Sequence, residues 1–321
     1  MAALTDDRIR TRAPATGLLW AVASAVSFGL SGSLARGLMD AGWSSAGAVV
    51  VRLLIGAVVL VPLALFQLRG RWSVLRRNWG LVTAYGLIAV AGCQLAYFNA
   101  VAHMEVGVAL LIEYTAPVAV VLWMWLRHAQ RPGRLTVIGA VLGAAGLVLV
   151  LDLVSGAQAS PIGVLWALAA MGGAATYFVL SARDDGGLPG TVLAAAGLVV
   201  GSVVLLLAGL VGVVPLAAST APVEFAAVTL PWWLPVLALG VVTAAVAYVT
   251  GIAAIRKLGS RLASFVALLE VVAAMVIAWL LLDELPSGIQ LVGGAVVLAG
   301  IVVVKLGEER RRDLPVAVEP A

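Results

Sequence analysis

The segment Leu110-Leu111-Ile112-Glu113-Tyr114-Thr115-Ala116-Pro117 places a carboxylate and a proline four residues apart inside a long apolar run. Residues 106–126 have the length and composition of a transmembrane helix, which needs about 20 apolar residues. Pro117 has no amide hydrogen for the carbonyl group of Glu113, so we expect a helix kink at Pro117. The segment therefore predicts a membrane-spanning helix that carries a polar spot within the bilayer.

The rest of the chain has the same apolar character. Of its 321 residues, 63% are hydrophobic and 11% are charged, whereas about a quarter of the residues of a soluble domain are charged. Apolar segments of about 20 residues recur, which favours transmembrane helices over barrel strands of about ten residues. We therefore predict an all-α integral membrane protein. One cysteine and two histidines make a disulfide or a metal site improbable, and we expect no cofactor.

The apolar segments predict ten transmembrane helices, at about 17–38, 45–68, 79–101, 106–127, 134–151, 161–182, 189–214, 232–254, 262–282 and 286–306. The Lys and Arg residues cluster in alternate loops, with Arg36 on the opposite side and Arg52 inside a span. By the positive-inside rule, both termini are then cytoplasmic. This pattern explains the net charge of +4 better than nucleic-acid binding, and the Arg-, Ala- and Gly-rich composition favours a bacterial cytoplasmic membrane.

The chain also contains an internal repeat of five spans. Three pairs of segments match: Gly17-Leu18-Leu19-Trp20-Ala21 with Gly163-Val164-Leu165-Trp166-Ala167, Leu111-Ile112-Glu113 with Leu268-Leu269-Glu270, and 139–146 with 293–300. Because five is odd, the second unit must cross the membrane in the opposite sense, as in many secondary transporters. We expect a cytoplasmic tail at 1–15, a first repeat at 16–151, a second at 161–306 and a disordered cytoplasmic tail at 307–321.

The end of the second repeat resembles a known family. It reads Trp279-Leu280-Leu281-Leu282-Asp283-Glu284-Leu285-Pro286 and is followed by Gly293-Gly294 and Ala299-Gly300. This pattern is similar to EamA-type proteins of the drug/metabolite transporter superfamily. The resemblance covers residues 16–306 and implies ten helices around a central cavity. It also implies export of amino acids, related metabolites or toxic organic cations in exchange for protons. The glycines of the fifth and tenth spans suit close helix packing, within one bundle or in a homodimer.

Three charged residues lie well inside predicted spans: Arg52, Glu113 and Glu270. A charge at the centre of a span costs about 2.5–3.5 kcal/mol on insertion scales, so each should face a cavity, form a pair or lose its charge. Glu113 is either a substrate- or proton-binding carboxylate or a protonated structural residue at the Pro117 kink. Arg52 lies at a similar depth and is a candidate partner for Glu113, unless its side chain extends to the membrane surface. Glu270, the expected counterpart of Glu113, carries the same two interpretations, with the structural one favoured.

Polar and aromatic residues form a second group of candidates. Gln94 and Tyr97 are three residues apart and share a helix face. Trp166 and Tyr177 are candidates for a cavity wall that stacks on aromatic or cationic substrates. Tryptophan and tyrosine in membrane helices also act as interfacial anchors.

These features together favour a secondary transporter that moves a small molecule across the lipid bilayer by alternating access. The sequence contains no Gly-x-x-x-x-Gly-Lys-Ser/Thr segment for ATP. A nucleotide-sugar or sugar-phosphate carrier is the alternative within transport, although such cargo calls for several cations in the cavity. A membrane-embedded enzyme is the alternative from another class, and we predict that the protein is not an enzyme.

Overall fold

A computed structural model describes residues 3–103, 112–129, 131–150, 160–183, 186–283 and 287–312. Within these residues, eight helices are long and apolar enough to cross a membrane. Two further apolar helices, Ala116–Arg127 and Arg134–Leu149, are shorter. They fall within the fourth and fifth predicted spans. Residues 104–111, which include the start of the fourth predicted span at residue 106, lie outside the described part of the chain.

The described residues of the first half of the chain form six helices. They are α1 (Ala3–Asp40), α2 (Ser45–Leu68), the short α3 (Trp72–Arg77), α4 (Trp79–Ala84, the π-helical Tyr85–Gly92 and Cys93–His103), α5 (Ala116–His128) and α6 (Arg134–Val150).

In the second half, the described residues form six more helices and a small sheet. They are α7 (Pro161–Ser181), α8 (Gly190–Leu210), β1 (Val223–Phe225), β2 (Val228–Leu230), α9 (Trp233–Gly240, the π-helical Val241–Val246 and Ala247–Leu258), α10 (Ser260–Val266), α11 (Leu269–Leu282) and α12 (Gly288–Arg312).

The β1–β2 hairpin departs from the all-α prediction. Val223 pairs with Leu230 and Phe225 with Val228 in antiparallel register. A Cβ atom on Gly37 would lie 2.9 Å from Val223 and 2.8 Å from the Phe225 ring. The hairpin therefore packs against the last turns of α1, where a larger residue than glycine would not fit.

Helical structure also extends beyond the predicted spans. Helix α1 begins at Ala3, inside the segment predicted as an N-terminal tail, and α12 continues to Arg312, inside the segment predicted to be disordered. Glu, Arg and Lys are good helix formers, so a helix started in an apolar span continues into the charged residues that follow it. Residues 313–321, the rest of that predicted tail, lie outside the described residues.

The two halves are joined by close packing of α6 against α12. A Cβ atom on Gly139 would lie 2.7 Å from the carbonyl oxygen of Gly300, and one on Gly146 would lie 2.8 Å from that of Gly293. Such distances exclude any side chain at these positions. The repeated glycines are thus used for packing inside the chain, which was one of the two roles expected for them.

Candidate functional site

A cavity of about 120 Å³ lies inside the helical bundle. Both halves of the chain contribute to its wall. Its lining residues are Ala21, Ser24, Ala25 and Phe28 of α1, Ala89, Cys93 and Gln94 of α4, Glu113, Tyr114, Ala116 and Pro117 near the start of α5, Ala174, Tyr177 and Phe178 of α7, Tyr248, Gly251, Ala254 and Ile255 of α9, Ala263 and Ser264 of α10, and Ala267 and Glu270 before and within α11.

Two interrupted helices bring carboxylates to this cavity. Helical structure stops at a turn formed by Tyr114 and Thr115, and α5 begins at Ala116. A second turn, at Ala267 and Leu268, separates α10 from α11. Glu113 precedes the first turn, whereas Glu270 follows the second. Each of the two breaks in helical structure therefore lies next to a carboxylate of the cavity, one from each half of the chain.

The position of Pro117 refines the predicted kink. Pro117 is the second residue of α5, where a helix has no internal partner for an amide hydrogen, so proline costs little. The Thr115 hydroxyl donates a hydrogen bond to the Ile112 carbonyl oxygen at 2.6 Å. The helix is thus broken before Pro117, and the proline starts a new helix.

Glu270 is also the second residue of its helix, in the first turn of α11. When the two turns are aligned, Glu270 corresponds to Pro117, and Val266 corresponds to Glu113. The expected equivalence of Glu113 and Glu270 is therefore wrong in register. The two Leu-x-Glu triplets match because both lie in apolar segments of similar composition. Alignment of the starts of α5 and α11 places the two glutamates at different positions.

Polar groups of the wall lie beside the carboxylates. The Cys93 thiol lies 3.6 Å from Oε1 of Glu113 and 3.5 Å from the carbonyl oxygen of Ala170. Tyr114 lines the cavity together with Glu270. An ionised carboxylate has about four acceptor sites, so both glutamates retain acceptor capacity for a ligand.

Arg52 lies behind this wall and is 4% exposed, so it does not extend to the membrane surface. Its Nη2 donates to the carbonyl oxygen of Thr243 at 2.7 Å, and its Nη1 donates to Oε1 of Gln94 at 3.4 Å. The guanidinium also lies 5.7 Å from the centre of the Phe28 ring. Arg36 forms an ion pair with Asp40 at 3.6 Å, and no such pair joins Arg52 to Glu113. The pairing of Arg52 with Glu113, which the sequence left open, is therefore not formed.

Aromatic side chains form one side of the cavity. The Tyr177 ring lies 5.2 Å from the Phe178 ring and 5.8 Å from that of Tyr248, and Phe28 meets Tyr248 edge-to-face at 5.2 Å. Gly251 leaves room for the Tyr177 hydroxyl, since a Cβ atom there would collide with it. The predicted wall position of Tyr177 is thus observed.

Two predicted wall residues lie elsewhere. The Trp166 side chain is 37% exposed and is absent from the described lining, so its predicted position in the cavity wall is wrong. Such an outward position suits a membrane-interface anchor. Tyr97 is half-buried and also lies off the described lining. Phe28, Cys93, Tyr114 and Tyr248 line the cavity but were not candidates from sequence; a tyrosine inside an apolar span was the available signal for Tyr248.

Comparison with known proteins identifies the fold and the family. A model of the EamA-like transporter family matches residues 15–152 and again residues 161–306. The chain belongs to the EamA-like transporter family. An uncharacterized transporter of Clostridium kluyveri is 23% identical over 272 residues, which cover 83% of this chain and 85% of that protein.

A solved crystal structure gives the same fold. Its protein is 23% identical, the alignment covers 94% of this chain and 99% of that chain, and the TM-score is 0.73. With two family matches and eight apolar helices of sufficient length among the described residues, the chain is a multi-pass membrane transporter built from two EamA repeats.

Proposed function

We propose that this chain is a secondary active transporter that exports a small metabolite, an amino acid or an organic cation, in exchange for protons. One observation carries the proposal: a single cavity holds a carboxylate from each half of the chain, Glu113 and Glu270. A carboxylate within a membrane is costly when charged and unpaired. A proton or a cationic cargo relieves that cost, so the two compete for the same groups.

The proposed transporter has the following arrangement in the membrane. The chain crosses the bilayer ten times, with α5 and α6 completing the fourth and fifth spans. The two five-span repeats are inverted relative to one another, and both termini lie in the cytoplasm of a bacterial cell. Rocking of one repeat against the other then exposes the cavity to each side in turn.

The composition of the wall supports this cargo class over a nucleotide sugar or sugar phosphate. Two carboxylates line the cavity, and none of the described lining residues is Lys or Arg. Arg52, a buried cation, is engaged by Gln94 and Thr243. A dianionic cargo would meet like charge and no bidentate cation.

The test is transport by the purified chain in proteoliposomes with an imposed pH gradient. A mixed pool of amino acids, organic cations and sugar phosphates is offered, and its movement is followed by mass spectrometry for wild type and Glu113→Gln. We expect gradient-driven movement of at least one compound in the wild type and its loss in the variant. Movement that persists unchanged in Glu113→Gln would reduce this residue to a structural role, and movement of sugar phosphates alone would favour the other carrier class.

A further inference from the structure

We propose that the cargo of this cavity is a small aliphatic diamine, bound as a dication between Glu113 and Glu270. The inference rests on the proposed function and names the substrate class of the same site. The two carboxylates line one cavity, and the described part of its wall contains no cationic side chain. The cavity is thus built for a ligand that brings two positive charges.

The donors already present leave room for such a ligand. Glu113 has the Cys93 thiol 3.6 Å from its Oε1, and Glu270 lines the cavity beside Tyr114. An ammonium group supplies three donors and forms charge-assisted hydrogen bonds with a carboxylate. A zwitterionic amino acid would instead add a third carboxylate to a cavity that offers no cation to hold it.

The aromatic part of the cavity wall suits an alkyl chain with cationic ends. Tyr177, Phe178 and Tyr248 present apolar ring surface, and aromatic faces also attract ammonium groups. The buried hydroxyl oxygen of Tyr177 has no hydrogen-bond partner in the described part of the protein. A buried polar atom of this kind normally has a partner, and an ammonium N–H is a suitable donor to it.

The size of the cavity limits the length of the diamine. A cavity of about 150 Å³ accommodates benzene, which has about six non-hydrogen atoms. The cavity of this protein, at about 120 Å³, is of the same order. 1,4-Diaminobutane has as many non-hydrogen atoms as benzene, whereas long polyamines exceed the available space.

The charges of the diamine and of the two carboxylates set the stoichiometry of the exchange. When the diamine leaves, each carboxylate binds one proton, and when the diamine returns, both protons leave. One dication is thus exchanged for two protons with no net movement of charge. Other titratable groups line the same cavity, namely Cys93 of α4, Tyr114 before α5, Tyr177 of α7 and Tyr248 of α9, whereas Tyr97 and Arg52 lie off the lining. Thiol, phenol and guanidinium groups titrate above neutral pH, so the two glutamates are the groups that exchange protons.

The transport test uses the full chain in proteoliposomes with labelled 1,4-diaminobutane, an imposed pH gradient, and membrane potential clamped by potassium and valinomycin. Uptake should follow the pH gradient, carry two protons per diamine and be unaffected by the clamped potential. A stoichiometry of one proton, or uptake that changes with the potential, overturns the proposal.

The binding test compares 1,4-diaminobutane with n-butylamine in the purified protein. The wild type should prefer the diamine by about tenfold or more, the effect of one additional charged hydrogen bond. In Glu113→Gln and in Glu270→Gln, this ratio should fall to about one. A purely structural role would weaken both ligands equally and leave the ratio intact, which would overturn the proposal.

Asp40→Asn is the matched control, because Asp40 is an exposed carboxylate paired with Arg36 outside the cavity; its ratio should equal that of the wild type. If one glutamate variant fails to fold, the other variant and the wild-type ratio still decide. If another compound is transported along the gradient and 1,4-diaminobutane does not compete with it, the diamine is not the cargo. The proposed function as a proton-coupled transporter would then still hold. If no compound moves with the gradient, both fall.

Discussion

The two helix interruptions that flank the cavity are built differently. The first turn, Tyr114–Thr115, has a side-chain hydrogen bond from Thr115 to Ile112 and a proline in the helix that follows. The second turn, Ala267–Leu268, is held by backbone hydrogen bonds, with the Leu268 amide donating to Phe265 at 3.1 Å and the Glu270 amide to Ala267 at 2.8 Å. Equivalent breaks in the two repeats thus arise from different local chemistry.

The second position of each new helix explains the difference. Pro117 occupies this position in α5, and Glu270 occupies it in α11. A proline is tolerated there because the amide it lacks has no helical partner. A glutamate is favoured there because the first turn carries positive partial charge. In the second repeat the residue that starts the helix also supplies the carboxylate, whereas in the first repeat Glu113 supplies it from before the turn.

The largest expected effect is on transport, when the second helix interruption receives the proline that follows the first. Glu270→Pro should lower gradient-driven transport by about 100-fold or more, because an intramembrane carboxylate that exchanges protons is lost. The protein should still fold, since proline fits the second position of a helix and one backbone hydrogen bond costs about 1 kcal/mol. Transport and unfolding in mixed micelles are measured together. Retained transport would mean that Glu270 serves only to start α11.

A smaller effect, on the unfolding free energy, is expected from a substitution beside the void that both turns border. Gly143 of α6 borders a void of about 30 Å³ that also touches Tyr114, Thr115 and Leu268. A Cβ atom on Gly143 would lie 3.0 Å from a methyl group of Leu268. Gly143→Val should therefore lower the unfolding free energy by about 1–3 kcal/mol through overpacking. Gly172→Val is the matched control, since a Cβ atom there meets nothing within 4 Å; equal losses in both variants would point to a general cost of valine.

The side-chain hydrogen bond is unique to the first of the two turns. Thr115→Val removes the hydroxyl that donates to Ile112 and should lower the unfolding free energy by about 1 kcal/mol. Thr115→Ser keeps the donor and should lie nearer to the wild type. If valine and serine behave alike in mixed-micelle unfolding, the turn is stabilised by its backbone alone, as in the second repeat.

The smallest effect distinguishes a helix start from a kink. Pro117→Ala should change the unfolding free energy by less than about 1 kcal/mol, because the restored amide falls in the first turn of α5. A proline in the middle of a helix costs about 3 kcal/mol, so its removal there would be clearly stabilising. A gain of that size would show that residues 112–128 form one bent helix.

Much of the architecture was predictable, because hydropathy and the duplicated segments depend on composition over many residues. The repeat and the placement of Glu113, Gln94, Tyr177 and Glu270 at one cavity follow from such patterns. The alignment of the two glutamates was not predictable, since short Leu-x-Glu matches ignore where each helix begins.

Two further features depend on contacts that sequence periodicity does not contain. Trp166 is apolar enough for either face of α7, and neighbouring helices decide which face is covered. The β1–β2 hairpin was missed because six residues of strand, which pack on Gly37, are too few for a periodic signal.

The glycine contact between α6 and α12 has a consequence for biogenesis. Its two surfaces are made at different times, because α6 ends at Val150 and α12 starts at Gly288. During synthesis the glycines of α6 therefore remain without their partner helix until α12 has been inserted. Insertion of α12 completes this packing, and a chain truncated before α12 would expose a surface that favours association with other membrane helices.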